Sequence, residues 1–201
     1  LEADDPTLAG LRTEAAALGV WLSIGSLALK TGDADGRFAN RSFVINPAGD
    51  IIARYDKIHM FDVEVSEKET YRESAGYRPG AWAVTAQTPF GQLGLSICYD
   101  LRFAYLFRAL AQAGADILLV PSAFSPVTGA AHWQPLLQAR AIETGCYVLA
   151  SAQLGDHGGR KTYGHSMAIS PWGEVLVDAG TTKSVSVVDI DLGAASDARK
   201  R

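Results

Sequence analysis

The chain has 201 residues, of which 48% are apolar and 20% are charged. This composition excludes a disordered or collagen-like chain, and the length fits one domain, because α/β folds often run past about 200 residues without dividing. The 18 basic and 22 acidic side chains give a net charge of −4, and the basic residues cluster only at the terminal Arg-Lys-Arg (199–201). We therefore expect no nucleic-acid partner and no membrane surface as a partner.

Membrane insertion, secretion and metal binding also lack a signal in the sequence. No apolar stretch approaches the roughly 18–20 residues that cross a bilayer, and the start lacks the basic and apolar regions of a secretory signal. Cys98 and Cys146 do not make a disulfide scaffold, and four histidines without a CxxC motif give no metal-ligand spacing. We expect a cytoplasmic protein without a metal or an organic cofactor.

The first part of the chain predicts a helix followed by strands. Asp5 before Pro6 is a good N-cap, and Gly19 closes the helix. The apolar residues between them fall at spacings of three and four: Leu8, Leu11, Ala15 and Leu18. Segment 20–29 is apolar and predicts a buried strand. After a loop over 31–36, strands over 42–45 and 51–55 are predicted to form a hairpin around the turn 46–50.

The rest of the chain predicts strands that alternate with helices. Strands over 83–88 and 93–98 flank the turn 89–92, and a helix with the apolar stripe Phe103, Leu106, Phe107 and Leu110 follows. A strand over 116–121, a helix over 130–144 ended by Gly145, and a strand over 146–153 come next. This alternation predicts right-handed crossovers in a parallel or mixed sheet. Antiparallel strands are predicted over 166–170, 174–178 and 184–190. The fold class is α/β.

Cys98 stands where a predicted strand ends and a helix begins, in Gly-Leu-Ser-Ile-Cys-Tyr-Asp-Leu-Arg (94–102). At such a turn the side chain is exposed at the carboxyl edge of the sheet. Free backbone N–H groups and the helix dipole there favour a thiolate and a developing oxyanion. The position is typical of a nucleophile. The alternative is a packed core cysteine, and that interpretation fits Cys146.

Lys57 and Glu73 are the other candidates for chemistry. Lys57 follows a predicted strand and is flanked by acids, a histidine and apolar side chains, so it is placed to donate to an oxyanion. The alternative is a surface lysine in a salt-bridged loop. Glu73 lies between two arginines, where an exposed ion pair is the ordinary interpretation.

Taken together, these segments resemble the nitrilase, or carbon–nitrogen hydrolase, superfamily. The matching segments are Tyr-Asp-Lys-Ile-His-Met-Phe-Asp (55–62), Arg-Glu-Ser (72–74), Arg-Pro-Gly (78–80), Gly-Leu-Ser-Ile-Cys-Tyr-Asp-Leu-Arg-Phe (94–103), Pro-Ser-Ala-Phe (121–124), His-Trp (132–133) and Arg-Ala-Ile-Glu (140–143). The resemblance runs from about Leu1 to Asp191. It is strongest to the Nit branch of amidases, which hydrolyse the amides of deaminated glutathione or of 2-oxo dicarboxylic acids. It implies an αββα sandwich.

The resemblance also implies roles for particular residues. Cys98 would be the nucleophile, Lys57 the cation that stabilises the tetrahedral oxyanion, and the backbone N–H of Tyr99 a second donor. Glu73 matches the glutamate that orients the lysine and shapes the approach of the substrate without transferring a proton. The thiolate attacks a carbonyl carbon, ammonia leaves after protonation by another glutamic acid, and water hydrolyses the thioester.

Residues near the nucleophile segment are candidates for a substrate pocket. Phe124, His132 and Trp133 follow a neighbouring strand at its carboxyl end, where α/β sites collect. Core packing is an equally good account of Trp133. We also expect Asp100 and Arg102 to form an ion pair that fixes the turn.

Two further charged or titratable features of the chain have structural interpretations. Arg140 and Glu143 are three apart on one predicted helix, so we expect them to pair at the surface or towards another subunit. His165 is expected to belong to the hydrogen-bonded framework and not to be a ligand.

The proton-transferring glutamate of the family follows the first strand, several tens of residues before the lysine. Glu2 and Glu14 are the glutamates that precede Lys57, and neither ends a strand. In register with the family, Leu1 falls after the first strand and helix. We therefore expect residues 1–201 to be a single hydrolase domain that lacks its first strand and helix, with this glutamate upstream of Leu1.

The resulting prediction is an amidase that hydrolyses a small linear amide through a cysteine thioester. The resemblance implies a homodimer formed by the helices after the nucleophile segment, where Phe103, Tyr105 and Leu106 form an apolar stripe. Two alternatives stay open: an N-carbamoyl or aliphatic amide hydrolase, and a catalytically inactive binding or regulatory module with the same fold. Reactivity of the Cys98 thiol separates the enzyme from the binding module.

Overall fold

The computed structural model describes residues 1–66 and 69–200. The chain forms two compact units, Leu1–Val84 and Thr85–Arg201. The first unit contains a β-sheet and an α-helix, and the second contains a β-sheet and further α-helices. In the described residues, no helix is both long enough and apolar enough to span a membrane.

The first unit begins with a 3-10 turn, Glu2–Asp4, and helix α1, Pro6–Leu18. Asp5 caps the helix by accepting the Leu8 N–H at 2.8 Å, a contact that stabilises a helix by about 1 kcal/mol. Gly19 ends the helix in the left-handed conformation, at φ 64°, which glycine adopts without steric cost. The predicted cap, proline and terminating glycine are confirmed.

Antiparallel strands form the main sheet of the first unit, in the order β1–β2–β3, and β6 pairs in parallel with β2. In chain order the strands are β1 (Leu22–Lys30), β2 (Phe38–Ile45), β3 (Ile51–Asp56), β4 (Asp62–Ser66), β5 (Glu69–Arg72) and β6 (Tyr77–Arg78). Strands β4 and β5 form a separate hairpin. The predicted β2–β3 hairpin is confirmed, and β2 begins earlier than predicted because its first residues pair with β1 and β6.

The core of this unit lies between α1 and one face of the sheet. Its buried members are Leu8, Ala15, Ile24, Leu29, Phe43 and Ile45. The prediction that β1 is a buried strand is wrong. This strand lies at the edge of the path β1–β2–β3, and Gly25 and Ser26 are exposed while Ile24 and Leu29 are buried. Antiparallel strands are commonly covered on one face only, and the register shift between Ser23 and Ser26 breaks the strict alternation of buried and exposed residues.

The second unit contains a mixed sheet in the order β14–β13–β10–β9–β8–β7. In chain order its strands are β7 (Thr85–Thr88), β8 (Gly91–Leu95), β9 (Ile117–Leu119), β10 (Tyr147–Ala150), β11 (Leu154–His157), β12 (Arg160–Tyr163), β13 (Met167–Ile169) and β14 (Val175–Asp178). Strands β8, β9 and β10 pair in parallel and the outer strands are antiparallel. The predicted mixed sheet is confirmed.

Helices provide the crossovers that parallel neighbours require. The helical elements of this unit are a 3-10 turn (Cys98–Arg102), α2 (Ala104–Gln112), α3 (Pro126–Thr144) and α4 (Leu192–Lys200). Helix α2 joins β8 to β9, and α3 joins β9 to β10. Helix α3 begins four residues before the predicted start at 130, because Ser125 caps it by accepting the Thr128 N–H at 3.4 Å and Pro126 occupies its first turn.

The prediction of a strand over 184–190 is wrong. Within residues 69–200 this segment pairs with no strand, and Val185 and Val187 are 93% and 87% exposed. Alternating valines alone do not make a strand, since a ladder needs a partner backbone. The helix that follows, α4, carries a single buried residue, Ala195, so its apolar pattern is too weak to predict. The β4–β5 and β11–β12 hairpins were also missed.

Candidate functional site

Lys57 follows β3 in the first unit, and only 3% of its surface is exposed. Its ammonium Nζ lies 2.5 Å from Glu73 Oε2. The surface-lysine alternative is therefore wrong. An ammonium carries three N–H donors, and a buried ammonium held by a carboxylate is chemically suited to stabilise a developing negative charge.

The backbone of Lys57 is held from both sides. Its N–H donates to the Asn40 carbonyl at 2.9 Å, and its carbonyl accepts the Gly80 N–H at 2.8 Å. A Cβ at position 80 would lie 2.1 Å from the carbonyl oxygen of Asp56. Only glycine fits this close approach, which explains why the Arg-Pro-Gly segment (78–80) ends in glycine.

Glu73 begins a 3-10 turn, Glu73–Ala75, and its carboxylate accepts three hydrogen bonds. Oε2 accepts from Lys57 Nζ and from the Phe61 N–H at 2.6 Å, and Oε1 accepts from Asn40 Nδ2 at 3.0 Å. The side chain of Glu73 is only 13% exposed and contacts the Lys57 ammonium, so the interpretation of an exposed ion pair with neighbouring arginines is wrong. Its role as the lysine-orienting glutamate stays a prediction. Sequence reasoning missed Asn40, which stands in a strand without a motif of its own.

A second carboxylate fixes the turn that carries Glu73. Asp62 accepts the Ser74 hydroxyl at 2.5 Å and the Ser74 N–H at 3.0 Å. These two bonds, the hydroxyl first, lower the pKa of Asp62 below its ordinary value. The Glu73 backbone N–H also donates to the Phe61 carbonyl at 3.3 Å. Glu73 and Ser74 thus connect the turn to Phe61 and Asp62 at the start of β4.

Cys98 lies in the second unit, three residues after β8, and is partly exposed. Its backbone has φ 50°, a conformation that is uncommon for a residue other than glycine and that collects at functional sites. Its N–H donates to the Pro121 carbonyl at 2.9 Å. Cys98 starts the 3-10 turn Cys98–Arg102, which precedes α2. The predicted position of Cys98 between a strand and a helix is confirmed, although the first helical element is a 3-10 turn.

Cys146 provides the internal contrast. It is fully buried, and its Sγ lies 3.1 Å from the Ala115 carbonyl oxygen. The core-cysteine interpretation therefore holds for Cys146. Cys98, with a strained backbone and access to solvent, does not share that environment.

Asp100 fixes the turn after Cys98. It is fully buried, and Oδ2 accepts the Ile97 N–H at 2.9 Å. Arg102 points its guanidinium at the His132 ring, with Nη2 3.3 Å from Nδ1. The same guanidinium lies 5.9 Å from the centre of the Tyr99 ring.

Phe124 joins this group, because the Arg102 guanidinium lies 5.7 Å from its ring centre. Its ring is also 4.8 Å from that of Trp133. Trp133 is fully buried and donates its Nε1–H to the His165 carbonyl at 2.7 Å, which supports core packing for this residue. His132 is exposed. The structure therefore brings Tyr99, Phe124 and His132 together around one guanidinium.

The remaining charged residues have structural partners. Arg140 and Glu143 pair at 2.8 Å as predicted, but Arg140 is buried and donates to the Leu101 carbonyl at 2.9 Å. The surface position expected for Arg140 is therefore wrong. His165 lies 3.1 Å from Asp178, within the framework as predicted. No group of three metal-ligating side chains occurs among the residues that the structure describes.

Glu2 and Glu14 are the glutamates of the first helical segment. Glu2 pairs with Arg41 and Arg54, both at 2.7 Å, and Glu14 is exposed on α1. Burial raises the pKa of Glu2, but hydrogen bonds from Arg54 and Arg41 outweigh it and lower that pKa. Glu2 is therefore held by two arginines at the start of the chain, and neither glutamate follows a strand. That the general base is another glutamate stays a prediction.

The chain matches the family model described as carbon–nitrogen hydrolase over residues 1–200. It therefore belongs to the carbon–nitrogen hydrolase family, and its α/β fold is the class that the sequence predicted. The match to a protein of Yersinia enterocolitica named deaminated glutathione amidase is 46% identical over 175 residues, covering 86% of this chain and 61% of that protein. The chain thus spans about three fifths of that curated relative.

Solved structures agree with this assignment. The NitFhit protein of C. elegans superimposes with a TM-score of 0.91 at 38% identity, over 98% of this chain and 48% of that chain. Nit3 of Saccharomyces cerevisiae, a member of branch 10 of the nitrilase superfamily, gives a TM-score of 0.86 at 28% identity, over 98% of this chain and 70% of that chain. The predicted resemblance to the nitrilase superfamily and its Nit branch is confirmed.

Proposed function

We propose that this protein is an amidase that hydrolyses a small linear amide through a cysteine thioester. The observation that carries the proposal is the environment of Cys98, whose thiol is partly exposed at a positive-φ turn between β8 and α2. A nucleophile needs access to substrate and a backbone that presents it. Cys146 meets neither condition, so the two cysteines of one chain are chemically distinct.

In the proposed reaction the Cys98 thiolate attacks the amide carbonyl carbon, and the carbonyl oxygen becomes an oxyanion. The Lys57 ammonium and the Tyr99 N–H stabilise that oxyanion, and Glu73 orients Lys57 through the contact at 2.5 Å. When the tetrahedral intermediate collapses, the C–N bond breaks and nitrogen leaves as ammonia after receiving a proton. Water then hydrolyses the thioester and releases the acid and the thiol. A further glutamate serves as general acid and base.

The substrate class rests on the relatives. The Yersinia enterocolitica protein is named deaminated glutathione amidase, so we propose an ω-amide or an amide like that of deaminated glutathione. Phe124 and His132 would contact the substrate, since they lie with Tyr99 around Arg102 in the unit that carries Cys98. An N-carbamoyl or aliphatic amide hydrolase is the alternative within enzymes. Turnover of a carbamoyl compound in preference to an ω-amide would favour that alternative.

The thiol test separates the enzyme from a binding module that retains the fold. We expect iodoacetamide at neutral pH to alkylate Cys98 of the full-length protein much faster than Cys146, because the Cys98 thiol is partly exposed and Cys146 is fully buried. Mass spectrometry of the two peptides measures the rates. Cys98→Ala is expected to abolish amide hydrolysis, while Cys146→Ala retains it. Equal alkylation rates together with an active Cys98→Ala variant would exclude the enzymatic proposal.

The same proposal extends to the organisation of the protein. We propose that residues 1–201 belong to one hydrolase domain, which the family match over residues 1–200 supports, and that the protein is a cytoplasmic homodimer. Helix α2 offers Tyr105 for such an interface, since 66% of it is exposed, whereas Leu106 of the predicted stripe is only 4% exposed and packs within its own unit.

A further inference from the structure

Asn40 contacts both members of the Lys57–Glu73 pair. It lies on β2, which pairs with β1, β3 and β6. Its backbone carbonyl accepts the Lys57 N–H at 2.9 Å, and its side-chain Nδ2 donates to Glu73 Oε1 at 3.0 Å. Asn40, on the strand that pairs with three others, therefore fixes both the main chain of Lys57 and the side-chain carboxylate of Glu73.

The side-chain contact determines how the Glu73 carboxylate is rotated. The last torsion of a glutamate is broad and roughly two-fold, so the carboxylate has little intrinsic preference for one orientation. Here Oε2 is occupied by Lys57 Nζ and the Phe61 N–H, while Oε1 is occupied by Asn40 Nδ2. Without the amide donor, Oε1 loses its hydrogen bond from Asn40, and the carboxylate can rotate away from the lysine.

An amide is the side chain suited to this position. It supplies an N–H donor without a charge, so it neither competes with Lys57 for the carboxylate nor repels Glu73. An aspartate would place a second carboxylate against Oε1, where two carboxyls share one proton and repel when both are ionised. A leucine of similar size would leave Oε1 without its donor.

We propose that Asn40 is a positioning residue for catalysis: its amide holds the Glu73 carboxylate in the orientation that aims the Lys57 ammonium. The proposal rests on the proposed function, in which Lys57 stabilises the oxyanion. Asn40 itself touches no reacting atom and acts through Glu73. Its loss should therefore lower kcat, which reports stabilisation of the transition state, and leave KM nearly unchanged.

The first experiment replaces Asn40 in the full-length protein and follows hydrolysis of a small ω-amide. Asn40→Leu is expected to lower kcat by about 10–100-fold, the scale known for residues that orient metal ligands and taken here as a guide, with KM within about threefold of wild type. Ser42→Ala is the matched control: it lies two residues along the same strand and loses a 3.0 Å bond to the Ile24 carbonyl. We expect it to lower the melting temperature and leave kcat near the wild-type value.

The second experiment uses Asn40→Asp and pH. At low pH the carboxyl introduced by Asn40→Asp is protonated and its O–H replaces the amide donor, whereas at high pH it is ionised and repels the Glu73 carboxylate, so the contact is lost. The ratio of kcat in Asn40→Asp to kcat in wild type is therefore expected to rise as pH falls. A purely structural role would lower kcat without such a trend. If Asn40→Leu fails to fold, the pH dependence of Asn40→Asp still tests whether Asn40 positions the Glu73 carboxylate.

Two reference variants separate the possible failures. In a Glu73→Gln background, Asn40→Leu should lower kcat little further, because residues that act through one another are not additive. Lys57→Met is measured in the same assay. If Lys57→Met keeps full activity, the proposed function itself fails. If Lys57→Met is inactive while Asn40→Leu keeps wild-type kcat, or while the pH ratio for Asn40→Asp is flat, only the role of Asn40 is overturned.

Discussion

Lys57 shows how the environment of one side chain determines its chemistry. A buried ammonium is costly to desolvate unless it is paired, and Glu73 provides that pairing while Asn40 and the Phe61 N–H hold Glu73 in turn. The arrangement is a cation held in a defined direction, which is what an oxyanion donor requires. A surface lysine of the same sequence context would have neither property.

The replacement Lys57→Met tests this role directly. We expect kcat to fall by about 100-fold or more, the scale seen when an oxyanion donor is removed, as measured by steady-state hydrolysis of an ω-amide. The matched control is Lys30→Met, which removes an exposed lysine at the end of β1. Melting temperatures of both variants show whether loss of the partner of Glu73 also destabilises the fold. A Lys57→Met variant with wild-type kcat would contradict the role.

At the residue scale the sequence selected Cys98 by its position between a strand and a helix, and Lys57 and Glu73 through the resemblance of their segments to the family. Their catalytic roles stay predictions, and the structure adds the contact between Lys57 and Glu73. Asn40 was missed because a single asparagine in a strand is unremarkable until the structure shows what its amide contacts. Arg140 and Glu143 were predicted to pair at the surface or towards another subunit; their spacing predicts the pairing, but it does not predict that Arg140 is buried.

At the scale of elements, the segment 78–80 shows a glycine with a packing requirement. Gly80→Ala would place a Cβ 2.1 Å from the Asp56 carbonyl oxygen, so either β3 or the backbone of Lys57 must move. We expect a loss of about 1–3 kcal/mol in the free energy of unfolding and a fall in kcat. Urea denaturation and kinetics measure the two effects. Gly76→Ala is the control, because no atom lies within 4 Å of its Cβ, and equal behaviour of the two variants would refute the requirement.

The first helical turn is joined to the sheet by ion pairs. Glu2 contacts Arg41 on β2 and Arg54 on β3, and the folded-state pKa of Glu2 is lowered because hydrogen bonds from Arg54 and Arg41 outweigh the effect of burial. A carboxyl with a lowered folded-state pKa stabilises the fold above its unfolded pKa, about 4.3, and loses that contribution as pH falls towards its folded value.

Glu2→Gln is therefore expected to lower the melting temperature at neutral pH and to approach wild type as pH falls below about 4. Thermal denaturation at several pH values measures the difference. Glu14→Gln serves as the control for the loss of one carboxylate, since that side chain is exposed on α1. If the difference in melting temperature between Glu2→Gln and wild type grew at acid pH, the conclusion that the pKa of Glu2 is lowered in the folded state would be wrong.

At the scale of the whole molecule, the proposed homodimer concerns helix α2. Tyr105 is a large apolar side chain that is 66% exposed, and aromatic side chains of this kind are enriched in interfaces. We expect the protein to elute as a dimer in gel filtration, and Tyr105→Ser to shift the elution towards the monomer. Phe90→Ser is the control, since it removes a 43% exposed aromatic ring from the β7–β8 turn. A monomeric wild-type protein would end the proposal.

The sequence by itself determined the family and most regular elements of this protein. Caps, terminating glycines and apolar periodicity are local signals, so α1, the β2–β3 hairpin, α2 and the crossovers of the mixed sheet could be predicted. The segments around Lys57 and Cys98 also identified the hydrolase family, because the residues that match the family are contiguous in the chain and so form a local signal.

Only the tertiary structure decided which residues are buried and which strands and side chains contact one another. The edge position of β1, the unpaired segment 184–190 and the docking of α4 depend on what lies beside each segment in space. The same holds for the contacts that join Asn40, Lys57 and Glu73, residues that are far apart along the chain. Burial and hydrogen bonding are properties of neighbours, and neighbours distant in sequence leave no local pattern.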